Sequence, residues 1–185
     1  MDMIDAKLKA LRFRAGTLSV SEFFEYIWHS RGKRIYFYIR KMFPGVQYDA
    51  DDLFQDVMLK IFRNLERYNP AHSLDTWIFT IARNHCIDQM KRKDSSVELR
   101  VPEEWGTEQG NPEASFLRDE RMRAIDSCMG GLAPEDRELA FLRFYGNMGF
   151  RNISVIMDIN INTLKARMRR IKRIFQQTLR EYHEE

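Results

Sequence analysis

The acidic side chains that could hold a catalytic metal ion lie in one short stretch. It contains four carboxylates, Asp49, Asp51, Asp52 and Asp56. Grouped carboxylates hold divalent metals in nucleases, whereas acids in the first turn of a helix only favour the positive end of its dipole. No His or Glu follows in a recognisable metal pattern, which favours a helix start over a metal-dependent nuclease.

The other candidates for catalysis are dispersed along the chain. The sequence has four histidines and two cysteines, His29, His72, His85, His183, Cys86 and Cys128. The cysteines cannot build a disulfide framework, and neither has the paired spacing of a zinc site. The sequence therefore predicts no catalytic residue, no metal and no cofactor, and the protein is not expected to be an enzyme.

The composition indicates a helical protein. Of 185 residues, 44% are hydrophobic and 31% are charged, with only 9 Gly and 5 Pro, which favours an all-α fold. No apolar run approaches the ~18 residues of a membrane span, and the amino terminus opens with acids. We expect a cytoplasmic protein with no membrane insertion of its own.

The charge is strongly segregated, although the net value is only +3. Residues 1–93 hold 16 basic and 11 acidic side chains, residues 94–120 hold 2 and 8, and residues 121–185 hold 12 and 8. The middle stretch also contains Ser-Ser, Gly and Asn-Pro without a helical period, which is typical of a linker. The prediction is two small helical domains, 1–93 and 121–185, joined by an extended acidic linker over 94–120.

Three helices are predicted in the first domain. One begins at Ser19 or Ser21 and reaches about Met42, another covers about 49–68, and the third covers about 74–93. The second of these carries an ordinary core stripe at Phe54, Val57, Met58, Ile61 and Leu65.

This second helix has an additional, partly apolar face. Gln55, Leu59 and Phe62 lie beyond its core stripe when residues are placed 100° apart. Either a further helix of the domain covers this cluster, or the cluster is a docking surface for a partner protein. In the second case Asp52 and Asp56 would form its polar rim.

The third helix also has two distinct sides. Its core face is predicted at Leu74, Ile78, Ile81 and His85. The opposite side carries Thr80, Arg83, Asn84, Ile87 and Lys91. Basic and polar groups beside aromatic rings suit single-stranded nucleic acid, where bases stack and phosphates pair with cations. A solvated helix face with a buried Trp77 is the alternative.

The second domain has the order of a helix-turn-helix. Helices are predicted over about 124–129 and 134–145, followed by a short helix over 150–157, a turn over 158–160 and a long basic helix from Ile161. Asn160 is a candidate N-cap, and residues 161–180 hold seven Lys or Arg and no acid. The predicted contact between the two helices uses Ile153, Ile156, Ile159, Leu164, Met168, Ile171 and Phe175. DNA binding is favoured here over a merely solvated basic helix.

Two blocks of sequence together resemble a known family. The stretch Asp-Ala-Asp-Asp-Leu-Phe-Gln-Asp (49–56), followed by Trp-Ile-Phe-Thr-Ile-Ala-Arg-Asn (77–84) and Ile87-Asp88, resembles the second conserved region of bacterial sigma factors. The helix-turn-helix with Asn-Thr-Leu-Lys-Ala-Arg (162–167) resembles their fourth region. With only these regions and a linker, the chain resembles the extracytoplasmic-function (ECF) group of the sigma-70 family.

The resemblance implies a transcription initiation factor that joins core RNA polymerase, directs it to promoters and helps to open DNA. The residues implied to contact core polymerase, mainly the β′ clamp helices but also β, are Asp52, Gln55, Asp56, Leu59 and Phe62. Those implied for −10 DNA are Ser73, Leu74, Arg83, Asn84, Lys91, Arg92 and Lys93. Those implied for −35 DNA are Asn162, Thr163, Lys165, Ala166, Arg167, Arg169 and Arg170.

Further implications concern partners and the linker. Besides core polymerase and promoter DNA, the resemblance implies an anti-sigma protein as a partner, and it implies that the acidic linker threads the positively lined RNA channel of polymerase. Asp158 stands where the family usually has Gly. A sigma-like DNA-binding regulator or adaptor that does not act with core polymerase is the alternative function.

Overall fold

The structure, a computed structural model, describes residues 2–43, 50–92 and 128–184. The predicted linker 94–120, Asp49, Lys93 and the start of the helix predicted at 124–129 lie outside these residues. Besides the helical residues 128–130, the described parts contain seven further bounded α-helices and one 3₁₀ turn at Leu65–Arg67. The helices are α1 Asp2–Arg14, α2 Val20–Met42, α3 Ala50–Asn64, α4 Leu74–Arg92, α5 Pro134–Phe144, α6 Phe150–Met157 and α7 Ile161–Glu184.

Helix α2 begins where its capping residues predict. The Ser19 hydroxyl accepts a hydrogen bond from the Glu22 amide at 3.2 Å, and the Glu22 carboxylate accepts one from the Ser19 amide at 2.8 Å. This reciprocal pair satisfies two amides that would otherwise lack a helical partner. The hydrogen bond from the Ser19 side chain lowers the pKa of Glu22, so the carboxylate is kept charged at the positive end of the helix.

The front core forms between α2, α3 and α4. Ile27 and Ile35 of α2, Ile61 of α3 and Ile78 of α4 are completely buried, and the three helices pack on one another. Buried Arg31 joins α2 to the start of α4, because its Nε donates to Asp75 Oδ1 at 3.1 Å. This ion pair fixes where α4 begins relative to the core.

Helix α1 was not predicted from the sequence. Its buried side consists of two small residues, Ala6 and Ala10, and of Phe13, whose ring stacks on Phe23 of α2 at 5.0 Å. Because small residues give a weak amphipathic signal, the pattern was easily missed. Arg14 donates to the Glu66 carbonyl at 2.9 Å and so ties the end of α1 to the turn after α3.

The rear helices adopt the predicted helix-turn-helix. Asp158 ends α6 in the left-handed region with φ of 56°, and the Ser154 hydroxyl donates to the Ile159 carbonyl at 2.6 Å across the turn. Asn160 Oδ1 accepts from the Asn162 amide at 2.8 Å, as expected for an N-cap. The predicted contact residues are all buried or half-buried: Ile153, Ile156, Ile159, Leu164, Met168, Ile171 and Phe175.

A buried arginine anchors the chain just before α5. Arg137 donates to the carbonyls of Met129, Gly130 and Leu132, each at 3.0 Å. Burial lowers the pKa of this guanidinium, and the three carbonyl oxygens replace the water that it loses. Residues 129–132 are therefore held on α5, where the rear group of helices begins.

The front and rear helices share one apolar core. Helix α6 packs against α4, and α5 packs against α2. Tyr38 of α2 is fully buried, with its ring 5.2 Å from Phe79 of α4 and 5.7 Å from Phe141 of α5. The sequence predicts two helical groups, which the structure contains, but it does not predict that they pack together.

The left-handed turn at Asp158 leads to a stability prediction. An L residue in this conformation carries a penalty of about 1–2 kcal/mol that glycine avoids and that Asp only partly avoids. We expect Asp158→Gly to keep or raise the free energy of unfolding by up to about 1 kcal/mol, and Asp158→Val to lower it by more than about 1 kcal/mol. Urea denaturation followed by far-UV circular dichroism measures both. Equal effects of Gly and Val on the free energy of unfolding would contradict a left-handed backbone at residue 158.

Candidate polymerase and nucleic-acid interfaces

The residues predicted to bind polymerase form one exposed face of α3. Asp52, Gln55, Asp56, Leu59 and Phe62 all reach solvent, with Leu59 and Phe62 retaining 44% and 39% exposure. The alternative in which another helix covers this face is wrong for the described residues. Large apolar side chains beside carboxylates at a helix surface are typical of a docking site.

A row of aromatic rings supports this face from below. Phe62 meets Phe24 edge-on at 5.1 Å, Phe24 lies 6.2 Å from Trp28, and Trp28 lies 5.5 Å from Phe54. Trp28 is itself exposed. Trp28 was not predicted as part of this face, although its spacing of four from Phe24 was the available signal. The rings hold Phe62 in position and extend the apolar surface onto α2.

His85 of α4 lies buried beneath the acidic part of this face. Its Nε2 is 3.5 Å from Asp56 Oδ2, too long for a good hydrogen bond, and neither ring nitrogen has a hydrogen-bond partner. Burial, helped by nearby Lys60, lowers the pKa of His85 below its ordinary 6.5, although Asp56 and Asp88 oppose this shift. The imidazole is therefore neutral at neutral pH, and its position on the predicted core face is confirmed.

The loop before α4 carries the first of the predicted −10 residues. Asn69 Oδ1 accepts from the Ala71 amide at 2.9 Å, and the Ser73 carbonyl accepts from the Trp77 amide at 3.1 Å as α4 begins. Ser73 is exposed, whereas Leu74 is 5% exposed and belongs to the core cluster. Ser73 is thus accessible to a ligand, and Leu74 can contribute only the wall behind it.

A cavity of about 480 Å³ lies beside this loop. Ser73 and Leu74 line one side, and the exposed apolar residues Ile4, Leu8 and Leu11 of α1 line another. Apolar walls with a few polar groups are usual in pockets for small organic groups, which include nucleobases. Ser73 and Leu74, which the resemblance implies for −10 DNA, thus line a cavity, and α1, which was not predicted from the sequence, forms one of its walls.

The outer side of α4 is only partly available. Asn84 and Lys91 are exposed, but Arg83 is half-buried, and its Nε donates to the carboxylate of Glu138 on α5 at 2.9 Å. Arg92 ends the helix. The predicted −10 residues on α4 therefore do not form one free surface in this arrangement of the helices.

The predicted −35 residues lie at the beginning of α7 and along its outer side. Asn162, Thr163, Lys165, Ala166 and Arg169 are exposed, on the side of the helix opposite buried Leu164, Met168 and Ile171. The free amides of the first turn give this end of the helix a positive potential, which suits a phosphate. The arrangement can place a short polar segment against base edges in a major groove.

Two of the arginines on α7 are held by acids of α5. Arg167 pairs with Glu135, and Arg170 pairs with Asp136, which is buried while the arginine remains largely exposed. Arg167 also lies 3.8 Å from Asp136. These pairs fix the direction of both guanidinium groups, which the spacing of residues in α7 alone did not indicate.

Groups suited to catalysis are scarce in the described parts. There, no cluster of three or more His, Cys, Asp or Glu is arranged to hold a metal ion. Cys86 and Cys128 are free and buried, and burial raises the pKa of Cys86 to about 12. Its thiolate is therefore scarce at neutral pH. None of the helices described is long and apolar enough to span a bilayer.

Two models of known protein families match the chain. The family model for Sigma-70 region 2 matches residues 27–96, and the model for Sigma-70 region 4 matches residues 122–174. The first match contains α3, α4 and most of α2, and the second contains the helix-turn-helix. The class of protein is therefore that of the sigma-70 transcription initiation factors.

Individual relatives narrow the class to one group. The chain is similar to the ECF RNA polymerase sigma factor SigK of Mycobacterium sp. (strain KMS), with 27% identity over 143 residues, 74% of this chain and 72% of the relative. It is also similar to SigK of Mycobacterium bovis (strain BCG / Pasteur 1173P2), with 22% identity over 172 residues and 90% of each chain covered. The chain belongs to the ECF group of the sigma-70 family, and the resemblance found in the sequence is confirmed.

Solved structures share the fold. One is CnrH in complex with the cytosolic domain of CnrY, with a TM-score of 0.59, 18% identity and 97% of each chain covered. Another is the sigma factor RpoE in complex with the anti-sigma factor NepR from Bartonella quintana, with a TM-score of 0.61, 19% identity and coverage of 85% of this chain and 96% of that chain. The all-α fold with two sigma regions is thereby confirmed.

The buried histidine leads to a prediction of pH dependence. A lowered pKa in the folded state means that the unfolded chain binds more protons below pH 6.5, so this group reduces stability as the pH falls from 7 to 5. We expect His85→Leu to flatten the dependence of the free energy of unfolding on pH, by at most about 1.4 kcal/mol per pH unit for one proton.

Urea unfolding at pH 7.5, 6.5 and 5.5 measures this slope. The control is His72→Gln, because the His72 side chain is exposed and its loss should leave the slope as in the wild type. If His85→Leu and His72→Gln have the same slope, the lowered pKa of His85 in the folded state is contradicted.

Proposed function

We propose that the chain joins core RNA polymerase through the outer face of α3 and uses two further surfaces for promoter DNA. The loop 69–73 with α4 holds the unpaired non-template strand of the −10 element, and α7 reads the −35 element. The single observation that carries this proposal is the α3 face, where apolar side chains stay exposed beside carboxylates. It identifies a protein partner rather than a small-molecule substrate.

The docking face has the composition of a helix-binding site. Leu59 and Phe62 supply an apolar centre, and Asp52 and Asp56 supply a polar rim that can pair with basic residues of a partner. A pair of helices such as the β′ clamp helices fits this long and narrow patch. The support of Phe62 by Phe24 reduces the ordering entropy lost on binding, because the ring is already positioned.

Promoter opening requires a place for a base removed from the duplex. Unstacking a base costs a few kcal/mol, which contacts to the extruded base must offset. The cavity beside Ser73 can receive such a base, and Asn84 and Lys91 offer an amide and a cation to the neighbouring strand. Arg92, the last residue of α4, and Lys93, the next in sequence, would add further phosphate contacts.

Recognition of the −35 element rests on the beginning of α7. Asn162, Thr163 and Lys165 can reach base edges, while Arg169 and Arg170 contact phosphates and fix the register. The net charge of the chain is small, but α7 concentrates positive charge on its outer side. Such a side attracts DNA in a salt-dependent manner.

Two further parts of the proposal concern partners. The acidic segment 94–120 would occupy the RNA channel of polymerase, because a polyanion fits a groove lined for RNA. An anti-sigma protein would hold the chain inactive, which is supported by the likeness to CnrH bound to CnrY and to RpoE bound to NepR. Neither part involves catalysis by the chain or a cofactor, and both operate in the bacterial cytoplasm.

Run-off transcription with core polymerase on a genomic fragment library tests the function as a whole. Discrete transcripts that need the chain would support it and would give the promoter sequences at once. DNA binding by the chain without any association with core polymerase would instead support a DNA-binding regulator or adaptor. A metal-dependent loss of intact DNA in the absence of polymerase would point to a nuclease.

The docking face leads to a prediction for polymerase binding. We expect Leu59→Ala to weaken the complex with core polymerase by about tenfold, because a central apolar contact of an interface is lost. Fluorescence anisotropy of the labelled chain titrated with core polymerase measures this. Val155→Ala on α6 is the control, because Val155 is an apolar residue outside α3 that is even more exposed than Leu59. Equal affinities for the two variants would contradict docking through α3.

The two DNA surfaces lead to separate predictions. With the holoenzyme, we expect Arg169→Ala to lower affinity for a −35 duplex by about 1 kcal/mol and to reduce its salt dependence. Asn84→Ala should leave that affinity unchanged and reduce promoter opening, measured by permanganate reactivity of unpaired thymines. Arg40→Ala, an exposed cation outside both surfaces, should change neither. Normal transcription by both variants would show that the assignments are wrong.

A further inference from the structure

Three large apolar side chains of α1 form a stripe that the core does not use. Ile4, Leu8 and Leu11 are spaced four and three residues apart, so they lie on one side of the helix, and they are 79%, 56% and 50% exposed. The opposite side of α1 makes its contacts with the core. Stability of the fold therefore does not account for these residues, which we call the α1 stripe.

The packing of α1 fixes where the stripe stands. The Phe13 ring stacks on Phe23 at 5.0 Å, and Phe23 lies 6.2 Å from the ring of Tyr68. The Tyr68 hydroxyl in turn donates to the His72 carbonyl at 2.8 Å. These contacts lead from α1 through α2 to the loop 69–73, so the stripe has a fixed position relative to that loop.

The α1 stripe and the loop are two walls of the cavity of about 480 Å³. Leu8 and Leu11 offer an apolar surface to this space, whereas Ser73 and Asp75 add polar groups to another part of its lining. A nucleobase has a flat face that packs on apolar groups and an edge that forms hydrogen bonds. The two kinds of wall together suit such a group.

The charge beside the stripe also favours a nucleotide. Helix α1 carries four basic and two acidic residues. Lys7 is exposed and lines the same cavity, and at 100° per residue it lies next to the stripe. A base on the stripe would bring its own backbone phosphates with it, and a cation at the rim attracts them. An apolar segment of a protein would gain nothing from this cation.

Helix α1 lies outside the matched sigma regions. The region 2 model begins at residue 27, whereas α1 ends at Arg14. The residues implied for −10 DNA by the resemblance likewise all lie between 73 and 93. A role of the stripe in DNA binding is therefore carried by the geometry of this chain rather than by its family.

We propose that α1 forms part of the −10 site, where Leu8 and Leu11 pack against the face of the base extruded beside Ser73 and Lys7 pairs with a phosphate of the same strand. This role rests on the proposed function of the loop 69–73 and α4. It makes α1 a determinant of strand capture and promoter opening, with no part in docking to polymerase.

The first test uses the holoenzyme with the double variant Leu8→Ala, Leu11→Ala. The probe is a single-stranded oligonucleotide with the −10 sequence that run-off transcription identifies, either intact or with one abasic nucleotide at each position in turn. We expect the variant to bind the intact strand about tenfold more weakly, because the base loses its apolar wall. The abasic nucleotide at the extruded position should make wild type and variant equal, whereas the difference should persist at the other positions.

The second test uses two matched cations. Lys7 and Arg12 are both exposed and flank the stripe on opposite sides, but only Lys7 lines the cavity. We expect Lys7→Ala to lower the slope of log affinity against log salt for the same oligonucleotide by about one, and Arg12→Ala to leave it as in the wild type. All of these variants should bind core polymerase as the wild type does, as measured by fluorescence anisotropy.

Three outcomes would overturn this role of α1. A loss of affinity in the double variant that is equal for every abasic strand would show that the stripe does not contact the extruded base. Weaker binding to core polymerase with unchanged binding of the oligonucleotide would show that the stripe meets a protein. If far-UV circular dichroism shows lost helix in the double variant, the two cations decide, and equal salt slopes for Lys7→Ala and Arg12→Ala overturn the role.

Failure here is distinguishable from failure of the proposed function. If the wild-type holoenzyme gives run-off transcripts and binds the −10 strand, and the α1 variants match it, only the role of α1 is wrong. If the wild type gives no transcripts with core polymerase, the proposed function is wrong, and the role of α1 fails with it.

Discussion

Tyr38 lies where the two groups of helices meet, and the arrangement of the described helices depends on its contacts. Its ring lies within 6 Å of Phe43, Phe79 and Phe141, and its hydroxyl donates to Glu138. A buried hydroxyl requires a partner, and the packed position of the ring places this hydroxyl beside its acceptor. Because the ring comes from α2 and its neighbours Phe79 and Phe141 come from α4 and α5, one residue couples the front helices to the rear helices.

The stability of the fold does not explain why the face of α3 is exposed. A domain that buried Leu59 and Phe62 would gain stability, since each buried apolar side chain contributes about 1.5–3 kcal/mol. Their exposure is compatible with folding because Val57, Met58 and Ile61 on the same helix already supply a full core stripe. Under the proposed function, the additional apolar residues serve binding rather than folding, and the aromatic row beneath them keeps the surface ordered before a partner arrives.

Local signals in the sequence predicted most of the helices. Ser19 was one of two candidates for the start of α2, and Asp158 with Asn160 gave the turn before α7, because caps and turns involve residues close together in sequence. Helix α1 was missed because its buried side is mostly alanine, whose contribution to an amphipathic pattern is small.

Long-range contacts were beyond the reach of such signals. Tyr38 and Arg83 lie 100 and 55 residues from Glu138, and nothing in the local pattern of α5 indicates that this acid is buried. The exposure of the α3 face was likewise undecided by its periodicity, since a covering helix would give the same sequence pattern. The resemblance to sigma factors favoured the docking reading, and the exposed side chains then agreed with it.

The acids that hold the basic residues also determine how DNA binding should depend on salt. Arg83, Arg167 and Arg170 each pair with an acid of α5, whereas Lys165 and Arg169 are exposed on the outer side of α7. An arginine that leaves a protein carboxylate to pair with a phosphate gains less binding free energy than one that leaves only water. It also contributes less to the net neutralisation of DNA. Under the proposed function, α5 therefore reduces nonspecific attraction to DNA and leaves the exposed residues of α7 to make the first contact.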